Sequence, residues 1–250
     1  MKLLVIGNSH TGSLRRGYES VKDRFVDKIS IRFAGTGNPF LSRWKLSGES
    51  VYHVYDFVSD PKPAFSIRDF DLIIVAAGYS ITDPRLLYKS HIHLHSKAVL
   101  KEIVCSGEDP SFQFSNRAPI VKSFLNDHQC SKQILLIGSP YPSSEVYQNF
   151  LDNVPRKSMP GSLRDLYTSF GSGLSDQLVR VHNKNRCTIE NICEQLFKEN
   201  SRIKYYVLPD FLLDETRMFT KKELMKPDRL HGNDNYGRLV MLDICNKLLK

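Results

Sequence analysis

Short apolar runs that each stop at glycine or proline recur along this chain, and they constrain its fold more than any other feature. Five such runs occupy residues 2–6, 29–34, 71–77, 133–137 and 204–208. Each run is apolar on both faces, as in a parallel strand buried between helices, and does not alternate like a strand with one solvated face. The sequence therefore predicts about five parallel strands.

Segments with helical spacing lie between and after these runs. One apolar stripe occupies residues 13–25, and two more lie in the second half of the chain. Their members are Leu14, Tyr18, Val21 and Phe25; then Ile189, Ile192, Cys193 and Leu196; then Leu239, Leu242, Cys245 and Leu249, widened by Val240, Ile244 and Leu248. Strands that alternate with helices favour an α/β fold with a doubly wound parallel sheet and helices on both faces.

A chain of 250 residues suits one large α/β domain, and no segment marks a domain boundary. We therefore expect a single domain over residues 1–250. Segments 38–66 and 105–118 fit neither pattern, and we expect long loops or short extra elements there, which could shape a pocket. The first apolar run is too short for a signal peptide or a membrane span, which favours a cytoplasmic protein without a membrane partner.

Charge and cysteine content narrow the function classes. The net charge is +8, but the basic residues are scattered and form no aromatic-lined stripe. We expect a basic surface and no nucleic-acid partner, with attraction of an anionic substrate or carrier as the alternative. The five cysteines are odd in number and include no CxxC pair, which predicts buried or idle thiols.

Ser9 is placed where a reactive serine is expected. It follows the first strand directly and precedes a helix, so its side chain projects over the edge of the sheet, near backbone N–H groups that favour negative charge. A serine needs a base to become a strong nucleophile. The alternative is that Ser9 or Thr11 only caps the helix.

A candidate base and its orienting carboxylate occur late in the chain. Asp228 and His231 are three residues apart, in a segment bounded by Pro227 and Gly232, before the last helix. One turn can bring the carboxylate to Nδ1 of the imidazole and leave Nε2 free to face a serine. The alternative is a surface loop in which Asp228 caps a turn and His231 is solvated.

Together the two blocks resemble the SGNH hydrolase family, also called GDSL-like. That family has its serine in a GDS-type block after the first strand and its Asp and His in a DxxH block before the last helix. Here the blocks read GNSH at 7–10, with Asn8 in place of Asp, and DRLH at 228–231. The resemblance implies a flavodoxin-like three-layer sandwich, with Ser9 as nucleophile, His231 as base, Asp228 as its partner, and no metal or organic cofactor.

The resemblance also implies a set of oxyanion donors, and here the chain departs from the family. The expected donors are the Ser9 N–H, a glycine after the second strand and an asparagine two residues after a later glycine. Gly35 or Gly37 supplies the glycine, but Gly78-Tyr79-Ser80 has no asparagine. Ser80, Tyr79, a backbone N–H or Asn38 replaces it, or hydrolysis is weak or absent.

Other residues carry weaker signals. His91, His93 and His95 would align if extended, but no carboxylate or cysteine block completes a metal site. His10 follows the nucleophile and is a candidate for lining the pocket. Trp44 is a candidate for stacking on a sugar, with burial as the alternative.

We therefore expect a serine-dependent carboxylic-ester hydrolase, with a small-molecule or glycan ester as substrate. Short acyl groups, such as acetyl on a sugar, are favoured because few apolar residues occupy the pocket loops. Two alternatives stay open: an O-acyltransferase with the same triad, and a non-catalytic glycan-binding protein of the same fold. The sequence does not set the oligomeric state.

Overall fold

A computed structural model describes most of the chain, in segments. The described residues are 1–7, 9–35, 44–47, 50–53, 63–76, 132–147, 152, 168–199 and 201–250. Eight strands lie within them: β1 (Lys2–Gly7), β2 (Ser30–Gly35), β3 (Trp44–Ser47), β4 (Ser50–His53), β5 (Pro63–Ser66), β6 (Leu72–Ala76), β7 (Gln133–Ile137) and β8 (Ile203–Tyr206).

Five of these strands form a parallel sheet in the order β2-β1-β6-β7-β8. This is the order of a doubly wound sheet: the strand that follows β1 in the sheet's own sequence, β2, lies on one side of β1, and all the later strands lie on the other side. Gly7, at the end of β1, is level with Gly35 of β2 and Ala76 of β6. The crevice for a ligand therefore opens beyond Gly7, at the switch point between β1 and β6.

Helices pack against this sheet and complete a three-layer α/β sandwich, which confirms the predicted fold class. The described helices are α1 (Thr11–Glu19), α2 (Leu174–Glu199) and α3 (Asp234–Leu248). Helix α1 packs along α3, and α2 packs on β8. The central strands β1 and β6 are the most enclosed part of the core, because neighbouring strands flank them and their side chains from Leu3 and Leu72 onward are buried.

The first helix is shorter than its apolar stripe predicts. Leu14, Tyr18, Val21 and Phe25 are all buried, as expected, but α1 ends at Glu19. The Ser20 hydroxyl donates a hydrogen bond to the Gly17 carbonyl, and a 3-10 turn follows over Lys22–Arg24. A serine that bonds to the preceding backbone competes with the helix, so the stripe continues in a tighter turn.

The apolar stripe predicted on the last helix packs against the core, except at its C-terminal end. Val240, Ile244 and Cys245 are buried in the core, whereas Leu249 is 40% exposed and follows the final residue of the helix. Leu249 is therefore not part of the buried face of α3, because it lies at the C-cap, where the helix ends. Helix α2 contains the other predicted stripe, and the side chains of Ile189, Ile192, Cys193 and Leu196 lie outside the described residues.

Segment 38–66 contains short extra elements, which is one of the two alternatives expected from the sequence. Strands β3, β4 and β5 form a separate antiparallel sheet, with an irregularity between Val51 and Tyr52. The side chain of Trp44, on β3, lies outside the described residues, as does the whole of segment 105–118. Of the described cysteines, Cys187 is exposed, Cys245 is buried and both are free thiols. None of the helices in the described part of the chain is long and apolar enough to cross a membrane.

Two glycines allow α1 and α3 to approach at backbone distance. A Cβ added at Gly237 would overlap the Ser13 carbonyl group of α1, and one added at Gly17 would overlap the backbone of Gly237 and Arg238 on α3. All of these obstructing atoms are backbone, so no side-chain rotation could relieve the overlap. The contact therefore requires glycine at both positions.

We predict that Gly237→Ala lowers the free energy of unfolding by about 2–4 kcal/mol, since α3 must move away from α1 and the contact between them loosens. Gly12→Ala is the matched control on α1, because its Cβ would meet only the Arg16 guanidinium at 3.5 Å. That control should be neutral or stabilising by about 0.5–1 kcal/mol. Urea unfolding measures both, and equal stabilities for the two variants would contradict the close contact.

A buried histidine on α2, His182, is expected to make the stability of the fold sensitive to acid. His182 is 1% exposed, and its ring stacks on Phe219 with centroids 5.1 Å apart. Burial lowers the pKa of His182 from 6.5 to about 4, although a backbone carbonyl, that of Met218, partly opposes the shift. The folded protein therefore binds this proton less readily than the unfolded chain does.

The contribution of neutral His182 to the free energy of unfolding should be complete above pH 6.5 and should decline as the pH falls toward about 4. The slope from one such group is at most about 1.4 kcal/mol per pH unit. His182→Phe keeps a flat ring against Phe219 but cannot titrate, so its stability should fall less between pH 6.5 and pH 4.5. Urea unfolding across this range measures the slope, and parallel curves for the two proteins would refute the assignment.

Candidate active site

Ser9 lies at the carboxyl end of β1, exposed at the edge of the sheet. The residue that begins α1 as its N-cap is His10, whose side chain makes no capping hydrogen bond. The Ser13 hydroxyl instead donates to the His10 carbonyl at 2.9 Å. Ser9 is therefore not the N-cap residue.

The structure brings together the three residues that the sequence singles out. The Oγ atom of Ser9 is 3.1 Å from Nε2 of His231, and Nδ1 of His231 is 2.7 Å from Oδ2 of Asp228. When Nδ1 carries the proton and donates a hydrogen bond to the Asp228 carboxylate, Nε2 is free to accept a hydrogen bond from the serine hydroxyl. This order of contacts can pass a proton from the hydroxyl to the imidazole.

Asp228 has two separate sets of partners. Its Oδ1 accepts hydrogen bonds from the backbone N–H groups of Leu230 and His231, both at 2.9 Å, while Oδ2 faces the imidazole. Partial burial favours the neutral acid, but these N–H groups and the imidazole outweigh it and hold the pKa of Asp228 below its usual value. Asp228 therefore stays ionised and acceptor-only toward His231 at neutral pH.

The segment between Asp228 and His231 is a tight, hydrogen-bonded loop. The Lys226 N–H donates to the His231 carbonyl at 2.7 Å, which closes the loop across its base. Arg229 has φ 62°, a left-handed conformation that is uncommon for a residue with a side chain. The Ser143 N–H donates to the Arg229 carbonyl at 3.1 Å and ties the loop to the segment after β7.

The side chain of Arg229 also reaches that segment. Its guanidinium is 3.5 Å from the Glu145 carboxylate, which in addition forms a short ion pair with Lys222. Ser143, Glu145 and the conformation of Arg229 are not predicted from the sequence. Only the first had a usable signal, because Ser143 follows the carboxyl end of β7, at the same edge of the sheet as Ser9.

His10 contacts the other side of the site. Its ring stacks on that of His231, with centroids 4.5 Å apart and planes inclined by 24°. Enclosure of the ring, and to a lesser extent the neighbouring His231, lower the pKa of His10 from 6.5 to about 3, while Asp228 partly opposes the shift. From the sequence, His10 is a candidate for lining the pocket; the contact that the structure shows is with the imidazole of His231.

Most of the predicted oxyanion donors lie outside the described residues. Gly35 is described and ends β2 beside Gly7 of β1. Gly37, Asn38, Gly78, Tyr79 and Ser80 are not described, nor are His91, His93 and His95. The donor that replaces the missing asparagine therefore stays a prediction. Across the described part of the chain, no three His, Cys, Asp or Glu side chains are grouped to hold a metal ion.

No protein-family model matches the chain, and no curated protein matches its sequence. Three solved structures are similar over nearly all of it. The lipase Lip_vut3 from a goat rumen metagenome has 11% sequence identity and a TM-score of 0.41, and the match covers 98% of this chain and 96% of that one. A proposed acylhydrolase from Bacteroides fragilis has 12% identity and a TM-score of 0.43, with 100% of this chain and 88% of that one covered. A proposed platelet activating factor from Streptococcus pneumonia has 12% identity and a TM-score of 0.41, with 98% of this chain and 83% of that one covered. Likeness at this level does not establish an activity, which the geometry of the site has to support by itself.

Proposed function

We propose that this protein is a serine-dependent carboxylic-ester hydrolase. The observation that carries the proposal is the continuous contact from Ser9 Oγ to His231 Nε2 and from His231 Nδ1 to Asp228. A nucleophile within hydrogen-bond reach of a base, with the base oriented by a third group, is the arrangement that activates a serine hydroxyl. In this proposal no metal or organic cofactor takes part in the chemistry.

The reaction then has two halves. Ser9 Oγ attacks the ester carbonyl as Nε2 of His231 takes the hydroxyl proton, and the tetrahedral intermediate collapses when His231 gives that proton to the leaving alcohol. The product is an acyl ester on Ser9. Water attacks this ester, again losing a proton to His231, and the acid leaves as Oγ regains the proton. Asp228 stabilises the imidazolium that forms in each half.

Negative charge on the attacked oxygen needs donors. The Ser9 N–H, just before the N-terminus of α1, is one, and the helix dipole favours charge at this position. Gly35 or Gly37 and a group near Asn38 or Ser80 complete the proposed set. Loss of one side-chain donor lowers the rate by about 100- to 1,000-fold in other hydrolases, so the replacement of the asparagine sets the level of activity.

We propose short acyl esters, such as O-acetyl groups on a carbohydrate, as the substrate class. Ser9 is exposed at the edge of the sheet, so an acyl group that projects from a large glycan could reach it without being enclosed. An acyltransferase would use the same three residues, with a sugar hydroxyl in place of water in the second half. Acyl transfer that requires an added sugar acceptor would distinguish it.

Ser9→Ala should abolish labelling by a fluorophosphonate probe and lower turnover of p-nitrophenyl acetate by at least about 10,000-fold. His231→Ala should be about as damaging because the residues act as a unit, and Asp228→Asn should cost a similar or somewhat smaller factor. Ser201→Ala is the matched control, since it removes the hydroxyl of an exposed serine just before β8, at the opposite edge of the sheet from Ser9.

Two results would oppose the hydrolase proposal. Labelling that persists in Ser9→Ala would move the chemistry to another residue. A wild-type protein that neither reacts with the probe nor hydrolyses short esters, yet retains a glycan ligand after Ser9→Ala, would favour the non-catalytic binding protein instead.

The left-handed Arg229 makes the loop itself testable. Arg229→Gly suits φ 62° and should keep kcat for p-nitrophenyl acetate within about 3-fold. Arg229→Val strongly disfavours that conformation, so the loop should shift His231 and lower kcat about 10- to 100-fold. Glu145→Gln is the control, because it weakens the ion pair and leaves the backbone of Arg229 alone. If Arg229→Gly is as damaging as Arg229→Val, the guanidinium matters and the backbone conformation does not.

A further inference from the structure

We infer that His10 is a positioning residue: its ring stacks on that of His231 and holds the orientation in which Nε2 faces the Ser9 hydroxyl. This inference rests on the proposed function, in which His231 is the base. It assigns to His10 a part in the reaction that does not require contact with the substrate.

The first step is that the hydrogen bond to Asp228 alone does not fix the imidazole. That bond holds Nδ1 at 2.7 Å from the carboxylate, but the ring plane can still tilt about it. The His10 ring lies against the face of His231, at 4.5 Å between centroids and 24° between planes. The hydrogen bond between Asp228 and the ring edge and the stacking of His10 on the ring face together define the position and the plane of the His231 imidazole.

The second step concerns the attachment of His10. It follows the nucleophile directly in sequence, and its backbone is held where α1 begins, since the Ser13 hydroxyl donates to its carbonyl at 2.9 Å. The nucleophile and the ring that orients its base therefore belong to one dipeptide. A displacement of Ser9 carries the stacking ring with it, so the distance from Oγ to Nε2 is less sensitive to small shifts of the helix.

The third step concerns charge. His10 faces His231, Asp228 and Lys226, and its Nδ1 is enclosed. Burial, with the nearby His231 and Lys226, lowers the pKa of His10 to about 3, so it remains neutral across the working pH range of an esterase. A neutral aromatic face tolerates the imidazolium that forms during catalysis, whereas a second cation at 4.5 Å would oppose it.

The test uses two substitutions of similar volume in the full chain. His10→Phe keeps a flat ring, and His10→Leu fills the space without one. We expect His10→Leu to lower kcat for p-nitrophenyl acetate about 10- to 100-fold with KM within about 2-fold, and His10→Phe to restore kcat to within about 3-fold of wild type. If the Leu variant does not fold, His10→Gln replaces it.

Two readouts separate positioning from a merely structural role. The low-field proton resonance of the His231–Asp228 hydrogen bond should be sharp in the wild type and in His10→Phe, and broadened in His10→Leu. The acid limb of the kcat/KM profile should coincide for the wild type and His10→Phe, because His10 carries no proton there. His182→Leu, which removes a stacked imidazole that contacts Phe219 and not His231, should change neither readout.

Three outcomes would overturn the inference: unchanged kcat and resonance in His10→Leu, a loss confined to KM, or His10→Phe no better than His10→Leu when both are folded. Failure of the proposed function looks different, since the wild type would then not react with a fluorophosphonate. The resonance measurement needs no turnover, so it still decides whether His10 holds His231.

Discussion

The close contact between α1 and α3 is the constraint on which the rest of the site depends. Ser9 immediately precedes the first of these helices, and His231 lies just before the second, 222 residues later. Gly17 and Gly237 let the two backbones touch, so the separation of the helices is fixed by main-chain atoms and not by adaptable side chains. A helix pair with larger residues at this contact would stand farther apart, and the serine and the imidazole would no longer meet at 3.1 Å.

The Asp228 carboxylate holds both the conformation of the loop at 228–231 and the orientation of the His231 imidazole. The two oxygens of Asp228 divide their partners: one satisfies the backbone of the turn, and the other holds the imidazole. The conformation of the turn and the tautomer of His231 are thus coupled, because neither oxygen can move without the other. The strained backbone of Arg229 persists because the segment after β7 holds its carbonyl and the base of the loop is closed.

The sequence predicts the five parallel strands to within one or two residues at most ends, because an apolar run stopped by glycine or proline is a local signal of a buried strand. It also identifies Ser9, Asp228 and His231, which the structure places in contact. It does not predict that α1 ends at Glu19, where the Ser20 hydroxyl bonds to the Gly17 carbonyl, or that Leu249 is largely exposed. The left-handed Arg229 carries no sequence signal, because tertiary hydrogen bonds and not its own preference impose that conformation.

The placement of the serine and the imidazole far apart in sequence has a consequence for the kinetics of folding. Strand β1 is an interior strand of the sheet, so we expect Ser9 to be in place only after the neighbours β2 and β6 have paired with it. The imidazole arrives only when α3 docks on α1, a contact of very high sequence separation that closes late because the loop entropy must be overcome first. We therefore expect partly folded chains to expose the serine without its base, so that regain of reactivity during refolding would report the final docking step.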